Sequence, residues 1–398
     1  MYPNLRFAFY DLFGIDFPFL GLVQTYGFFL ALSFGIGAWW LYVEMRRREN
    51  LGLLTGFEEE IKIGEPLSIF SLISNALIGF LIGFKGIYAL SNPDIFASDK
   101  AKSYLMSWEH GNWLMGIVLA IAFVAMKVYE KKKEKEKYPE PKTFKKIVMP
   151  HERIGDLVML SAISGIFGAK LFYVLEEKPA NEALLDAIFS GSGLTVYGGL
   201  IVAFFVVSYY VYKKKINYKQ LLDVFAPGLI LAYGVGRLGC HFSGDGDWGT
   251  TNPYPKPMAF LPDWMWAYHY PNNVINDGSA IVENCGGYPF ADVYGHCSAL
   301  AQGAYPTPVW EFLASIVIFF ILFSLRKWAK EGGLLFAIYL IFNGLERFLI
   351  EIIRLNPEYD TVIGLQLSQA QHIAIVLFII GIVLSLYLYN KQRKNLAH

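Results

Sequence analysis

Nine apolar runs, at 20–44, 67–92, 112–129, 154–175, 194–212, 221–242, 308–326, 333–353 and 370–389, each approach the roughly 20 residues a helix needs to cross a hydrocarbon core. With 55% hydrophobic residues and 17% aromatics over 398 positions, the chain is too apolar for a soluble protein of its length. The expected fold is therefore an all-α polytopic membrane protein of nine transmembrane helices, forming one membrane domain over 1–398.

The net charge is zero, so the distribution of basic residues is more informative than their sum. Arg46-Arg47-Arg48, the tract 131–146, Lys213-Lys214-Lys215, Arg326-Lys327 with Lys330, and Lys391 with Arg393 and Lys394 follow the odd-numbered runs. All five groups fall on one side, which the positive-inside rule makes cytoplasmic. The intervening loops carry Asp94, Asp99, Glu176-Glu177, the long stretch 243–307 and 357–360, and are sparse in basic residues. The amino terminus is thus expected outside and the carboxyl terminus in the cytoplasm. No cleavable signal is expected, because the first apolar stretch opens on aromatics instead of a basic region.

Cys285 and Cys297 fall in the long outer loop, where a disulfide is permitted. The sequence does not give their separation, so a bridge and two free thiols both stand. The seven histidines show no pair at ligand spacing, and neither a metal nor another cofactor is expected. An internal echo links Gly83-Phe-Lys85-Gly-Ile-Tyr88 to Gly168-Ala-Lys170-Leu-Phe-Tyr173, each followed by an outer loop, a glycine-containing span and a Lys-Lys-Lys exit. Duplication of a two-span unit accounts for it, and so does chance likeness between apolar helices.

Arg237, in Leu231-Ala-Tyr-Gly-Val-Gly-Arg-Leu-Gly-Cys240, is the polar residue that most demands explanation. A guanidinium inside a span costs roughly 2.5–3.5 kcal/mol on insertion scales and calls for an anionic partner. By the topology above, Arg237 lies in the outer third of its span, and Arg347, Glu351 and Arg354 align at i, i+4 and i+7 on one face near the outer end of another. Tyr26, Lys170, Tyr173, Tyr197, Glu311 and Gln371 also lie at or near outer ends. Arginines and a lysine at headgroup depth, oriented by glutamates, suit a lipid phosphate, because guanidinium forks match phosphate oxygens. The competing reading is that these side chains snorkel to the interface and pair with one another. The aromatic stretch 260–270 in the outer loop suits a segment seated at the interface, either over the lipid site or packed on the membrane surface.

Several of these segments occur in the order seen in one family. Tyr26-Gly27, Gly168-Ala-Lys-Leu-Phe-Tyr173, Gly193-Leu-Thr-Val-Tyr-Gly-Gly-Leu200, Gly236-Arg-Leu-Gly239 leading to Trp248-Gly249, Tyr305-Pro-Thr-Pro-Val-Trp-Glu311, Glu346-Arg-Phe-Leu-Ile-Glu-Ile-Ile-Arg354 and Ser368-Gln-Ala-Gln371 together resemble the prolipoprotein diacylglyceryl transferases. The resemblance covers roughly 20–45 and 154–390. It implies a bacterial cytoplasmic (inner) membrane enzyme that moves the diacylglyceryl group of phosphatidylglycerol to the lipobox cysteine of a prolipoprotein signal peptide, releasing glycerol phosphate. The expected partners are that lipid, that peptide and the membrane, with no nucleic acid among them.

Such a reaction needs cations on the departing phosphate, which suits Arg237 and Arg347, and a base for a thiol whose ordinary pKa is about 8.5. Glu311 and Glu351 are expected to hold the arginines, with Tyr26, Lys170, Gly198, Gly199, Gly239 and Arg354 around the lipid. The chain departs from the family at the base: the glycine pair that usually follows a histidine follows Tyr197. The asparagine after Arg-Leu-Gly is Cys240, and the acidic position of the signature is spread over Asp245 and Asp247. Tyr197, His241 and Asp245 are the candidates for the proton. A further departure is the additional pair of spans at 67–129, which the usual seven-span body lacks. A transporter or lipid flippase is the rival class, although such proteins place coupling residues at the midplane between inverted halves; a non-catalytic scaffold is the third.

Overall fold

The computed structural model describes residues 1–63, 66–93, 104, 107–140, 142–177, 195–281, 285, 287–290, 294–354, 356, 358–360 and 366–397. Asp94, Asp99, Gly193, Leu194 and Pro357 lie outside the described residues. Each apolar run is a helix: α2 (Thr25–Asn50), α3 (Ile69–Leu81), α4 (Trp113–Lys137), α5 (Ile154–Phe172), α6 (Val196–Lys213), α7 (Tyr218–Ser243), α8 (Thr307–Leu325), α9 (Leu334–Glu351) and α10 (Gln369–Ala397), with a short α1 (Leu5–Phe13) before them. A wider π turn, Ile82–Gly86, carries α3 onward to Ser91. Among the described residues, eight of these helices are long and apolar enough to cross a membrane. The exceptions are the nine-residue α1 and α9, whose apolar character is interrupted by Glu346, Arg347 and Glu351.

The most enclosed span is α7. Asn217 starts it by accepting a hydrogen bond from the Gln220 amide at 3.3 Å, and Gly244 ends it in the left-handed conformation at φ +67°. Neighbouring helices approach α7 closely because small residues stand at the crossings. A Cβ on Gly228 would meet Trp40 of α2 at 2.8 Å, one on Gly234 would meet Ser315 of α8 at 2.7 Å, and one on Gly239 would meet Phe29 at 2.9 Å. The Trp40 indole also donates to the Val224 carbonyl at 3.0 Å.

One end of this bundle is tied by a buried ionic network. Glu44 accepts from Arg47 at 2.6 Å, Arg48 at 3.0 Å and Arg326 at 3.3 Å. Arg48 also reaches Gln220 and Asp223 of α7. Asp223 accepts the amides of Gly333 at 3.0 Å and Phe336 at 2.9 Å, satisfying orphan donors at the start of α9. That cap fixes the origin of the helix that carries Arg347 and Glu351. Fourteen residues separate Asp223 from Arg237, about 21 Å along α7 at 1.5 Å per residue, so the two ionic clusters occupy opposite ends.

The additional spans leave and re-enter the body through a β ribbon. Strand β1 (Phe57–Ile63) pairs antiparallel with β2 (Lys142–Val148), Phe57 opposite Val148 and Ile63 opposite Lys142. Between them α3 packs on α4, with Gly79 against the Leu119 carbonyl and Gly83 against the Met115 carbonyl. The α5–α6 hairpin repeats the arrangement: Gly168 faces the Gly198 carbonyl, and Gly199 faces the Gly165 carbonyl. The Asn112 amide bonds the Phe84 carbonyl at 2.8 Å, and the Thr195 amide bonds the Ala169 carbonyl at 3.2 Å. When Gly83 is matched to Gly168 and Gly116 to Gly199, these two bonds fall at identical offsets. Lys85 is spent on its own loop, donating to the carbonyls of Tyr104, Ser107 and His110.

After α7 the chain folds over one end of the bundle. Two-residue strands β3 (Ser279–Ala280) and β4 (Ser298–Ala299) pair there, and Cys285 is bonded to Cys297. A third ribbon, β5 (Glu358–Asp360) with β6 (Gln366–Ser368), joins α9 to α10. The aromatic stretch is divided: Phe260 is largely exposed, whereas Trp266 packs on Trp310 and Tyr270 is fully buried against Trp248.

Candidate active site

Glu311, at the second turn of α8, has no exposed surface, and the ionisable groups of two other helices converge on it. Arg237 donates from Nε to Oε2 at 2.6 Å and pairs through a second nitrogen with the same oxygen. Arg347 reaches Oε1 at 3.2 Å, Arg354 approaches it at 3.8 Å, and the Tyr233 hydroxyl donates to it at 2.7 Å. Tyr233 and Arg237 are one helical turn apart, so both face α8. Ser315, one turn after Glu311, bonds its carbonyl at 2.7 Å.

A second carboxylate closes the opposite side. Asp247 accepts from Arg354 on Oδ1 at 2.7 Å and from Arg237 on Oδ2. Burial pushes the Asp247 carboxyl up, but the Arg237 and Arg354 guanidiniums outweigh burial and hold it well below the usual carboxylate range. Asp245 moves the other way, raised by burial and by the charge of Asp247. Gly246, at φ +95°, makes the turn that sends the two side chains apart. Asp247 meets the arginines, whereas Asp245 caps the Asp247 amide at 3.2 Å and faces the Cys240 thiol.

A third carboxylate, Glu351, pairs with Arg347 at 2.9 Å and with Arg354 at 3.9 Å. It is held by the Ser368 hydroxyl at 2.9 Å and by the Asn356 amide, and Gln371 fixes Ser368 through its amide at 2.9 Å. The i, i+4, i+7 alignment expected on α9 therefore serves one cluster, and Arg354, only 10% exposed, is part of it. Trp248-Gly249 completes the frame. The Gly249 amide bonds the Tyr305 carbonyl at 2.9 Å, and a Cβ there would lie 2.5 Å from the Ile353 carbonyl, so only glycine lets the loop reach the end of α9.

The remaining candidates surround this cluster in different ways. Tyr26 is partly exposed and within electrostatic reach of Arg237 and Asp247, and Tyr197 is half-buried and within reach of Arg347. Gly239 brings α2 against α7, while Gly198 and Gly199 lie in the contact between α5 and α6. The Lys170 ammonium stands 5.5 Å from the Tyr173 ring centre. His241 turns into an aromatic enclosure formed by Phe242, Trp264, Tyr268 and Tyr270, with Nδ1 3.3 Å from the Tyr270 hydroxyl. It lines a cavity of about 380 Å³ with Tyr2, Asp11 and Tyr288. Sulfur and carboxylate oxygens of Cys240, Asp245 and Asp247 lie within 4.8 Å of one another, but Arg237 stands 3.3 Å from that sulfur and supplies the positive charge there.

Tyr233 and Glu346 are members of this region that the outer-end rule did not pick out. Tyr233 lies one turn before Arg237 and Glu346 one position before Arg347, and their burial depends on how α7, α8 and α9 meet.

Three guanidiniums are bridged by three carboxylates in one cluster, an arrangement whose donors could hold another anion in place of a carboxylate. The family model of prolipoprotein diacylglyceryl transferase matches residues 114–387, a range that holds every member of the centre. A phosphatidylglycerol–prolipoprotein diacylglyceryl transferase of Streptococcus uberis is 32% identical over 243 residues, covering 59% of this chain and 78% of the relative. Proteins of the same name from Staphylococcus haemolyticus and Leptospira interrogans are 27% and 26% identical, over 64% and 55% of this chain and 79% and 67% of their own lengths. No solved structure is matched. On the extent of the family match, the chain belongs to the prolipoprotein diacylglyceryl transferase family.

Proposed function

We propose that this protein transfers the diacylglyceryl group of phosphatidylglycerol to the thiol of a lipobox cysteine in prolipoproteins and releases glycerol phosphate. The observation that carries this reading is the sharing of the Asp247 carboxylate between Arg237 and Arg354, with Arg347 beside them on Glu311. A phosphodiester offers the same pair of charged oxygens and would replace Asp247, the most exposed carboxylate of the three. Guanidinium forks hold such an anion bidentately and keep their charge when partly desolvated.

In the step itself the thiol sulfur attacks the sp³ glyceryl carbon, forming the carbon–sulfur bond as the carbon–oxygen bond to phosphate breaks. The electron pair leaves with the phosphate oxygen. Arg237, Arg347 and Arg354 stabilise the charge that grows there, while Glu311 and Glu351 are positioning residues that act through the arginines. Tyr26, within electrostatic reach of Arg237, and Tyr197, within reach of Arg347, would contact the headgroup. In this reading, which the basic-loop pattern supports, this end of the bundle lies in the outer half of the bacterial cytoplasmic membrane and the carboxyl terminus in the cytoplasm.

A lipobox peptide incubated with purified protein and phosphatidylglycerol should gain the mass of one diacylglyceryl group, with glycerol phosphate in equal amount. A peptide of unchanged mass would refute the proposal, and translocation of the lipid without peptide modification would favour a flippase.

A further inference from the structure

Glu346 is buried to 8% exposure, and among the described residues neither of its carboxylate oxygens has a hydrogen-bond partner. An unpaired buried carboxyl is expensive, and a native protein keeps one for a reason. Around it the charges are already matched, with Arg237, Arg347 and Arg354 facing Glu311, Glu351 and Asp247. Glu346 and Asp245 are left over from these pairs, and of the two it is Glu346 whose carboxylate oxygens have no hydrogen-bond partner among the described residues.

Its position is next to the reaction centre. Arg347 is its neighbour in the chain, and its carboxyl lies within electrostatic range of Glu311 of α8, Arg237 of α7, and Arg347 and Arg354 at the end of α9. Tyr233 of α7 and Tyr339, two turns earlier on α9, lie within the same electrostatic range. At the crossing with α10, Gly344 meets the backbone at Ala374 and Phe378.

A base needs a lone pair that the fold has not used. Glu311 is engaged by arginines and Tyr233, Glu351 by Ser368 and Asn356 on one oxygen and by the ion pair with Arg347 on the other, and Asp247 by two guanidiniums. Asp245 is taken up by the Asp247 amide and the Cys240 thiol, and His241 is enclosed by aromatic rings. We infer that Glu346 accepts the proton of the lipobox thiol, taking the place of the family's histidine; the inference rests on the transferase reading above. The thiol proton passes to the Glu346 carboxylate as the carbon–sulfur bond forms, and then to the released glycerol phosphate, which restores the carboxylate.

The test compares wild type with Glu346→Gln in the peptide-lipidation assay across pH 7 to 9. Loss of a positioned base should lower kcat at pH 7 by roughly 100-fold with KM for phosphatidylglycerol unchanged. The deficit should shrink towards pH 9, where a thiol of ordinary pKa, about 8.5, ionises unaided. It should also vanish for a selenocysteine peptide, whose selenol is already ionised at neutral pH. If Glu346→Gln does not fold, Glu346→Asp serves, and its deficit should likewise be confined to the thiol peptide. A Glu346→Gln rate within threefold of wild type, or a deficit equal for thiol and selenol, overturns the inference. An inactive wild type would instead refute the transferase reading.

Discussion

Arg237 is bound to Glu311 at 2.6 Å, through a carboxylate that has no contact with solvent. The same carboxylate receives Arg347 and Tyr233, so one side chain on α8 orients the functional groups of α7 and α9. Breaking a buried ion pair by removing one partner costs about 3–5 kcal/mol, because the other charge is stranded. Glu311→Ala is therefore expected to lower the thermal unfolding temperature in detergent markedly and to abolish lipidation. Unfolding and activity near wild type would remove Glu311 from its central position.

In the proposed reaction, Asp247 holds the guanidiniums that the lipid phosphate would take over. Asp247→Asn keeps the shape of the side chain and removes the competing charge. KM for phosphatidylglycerol should fall several-fold, since every 1.4 kcal/mol of competition relieved is worth about tenfold in binding. A higher KM, measured from initial rates over a range of lipid fractions in micelles, would show that Asp247 assists binding.

The two aspartates have opposite linkage to pH. The depressed Asp247 contributes stability that is present above the unfolded-state pKa, about 3.9, and is lost as pH falls below it. Asp245, raised by burial and by the charge of Asp247, works the other way: stability declines as pH rises from about 3.9 through its elevated folded value, and the cost persists above that. Asp245→Asn is accordingly expected to raise the unfolding temperature at pH 7 and to change it little near pH 4. A lower unfolding temperature at pH 7 would contradict that assignment.

The unit between β1 and β2 is closed by its own ribbon, and α3 and α4 pack on each other. Lys85 is bound to carbonyls of its own loop. Replacing 57–148 by a short flexible linker should leave a protein that lipidates peptide at a rate within a few-fold of the full chain. Loss of turnover in a folded deletion variant would place the unit in the reaction.

Much of this arrangement is legible in the sequence because membrane helices announce themselves by length. The nine runs, the spacing of Arg347, Glu351 and Arg354 on one face, and the gathering of polar residues at one end all follow from local pattern. Gly198 and Gly199 were expected beside the lipid, and the fold sets them in a helix crossing, a role that depends on a neighbour the sequence does not name. Choosing Asp247 over Asp245 as the partner of the arginines required the turn at Gly246. Glu346 belongs to the run Glu346–Arg354, but its distinction is that the arginines beside it are engaged by Glu311, Glu351 and Asp247, which is a matter of how three helices and a loop meet.

The central claim, that guanidinium forks hold the phosphate as it leaves, is tested most directly by the rate of diacylglyceryl transfer in Arg237→Lys. Lysine keeps the charge that Glu311 requires, and so keeps the fold, but it cannot span Glu311 and a phosphate oxygen at once. Removing one preorganised donor from such a site typically costs 10²–10³ in kcat, so the account predicts a fall of roughly 100-fold or more in a protein that still unfolds cooperatively. A rate within a few-fold of wild type would contradict it.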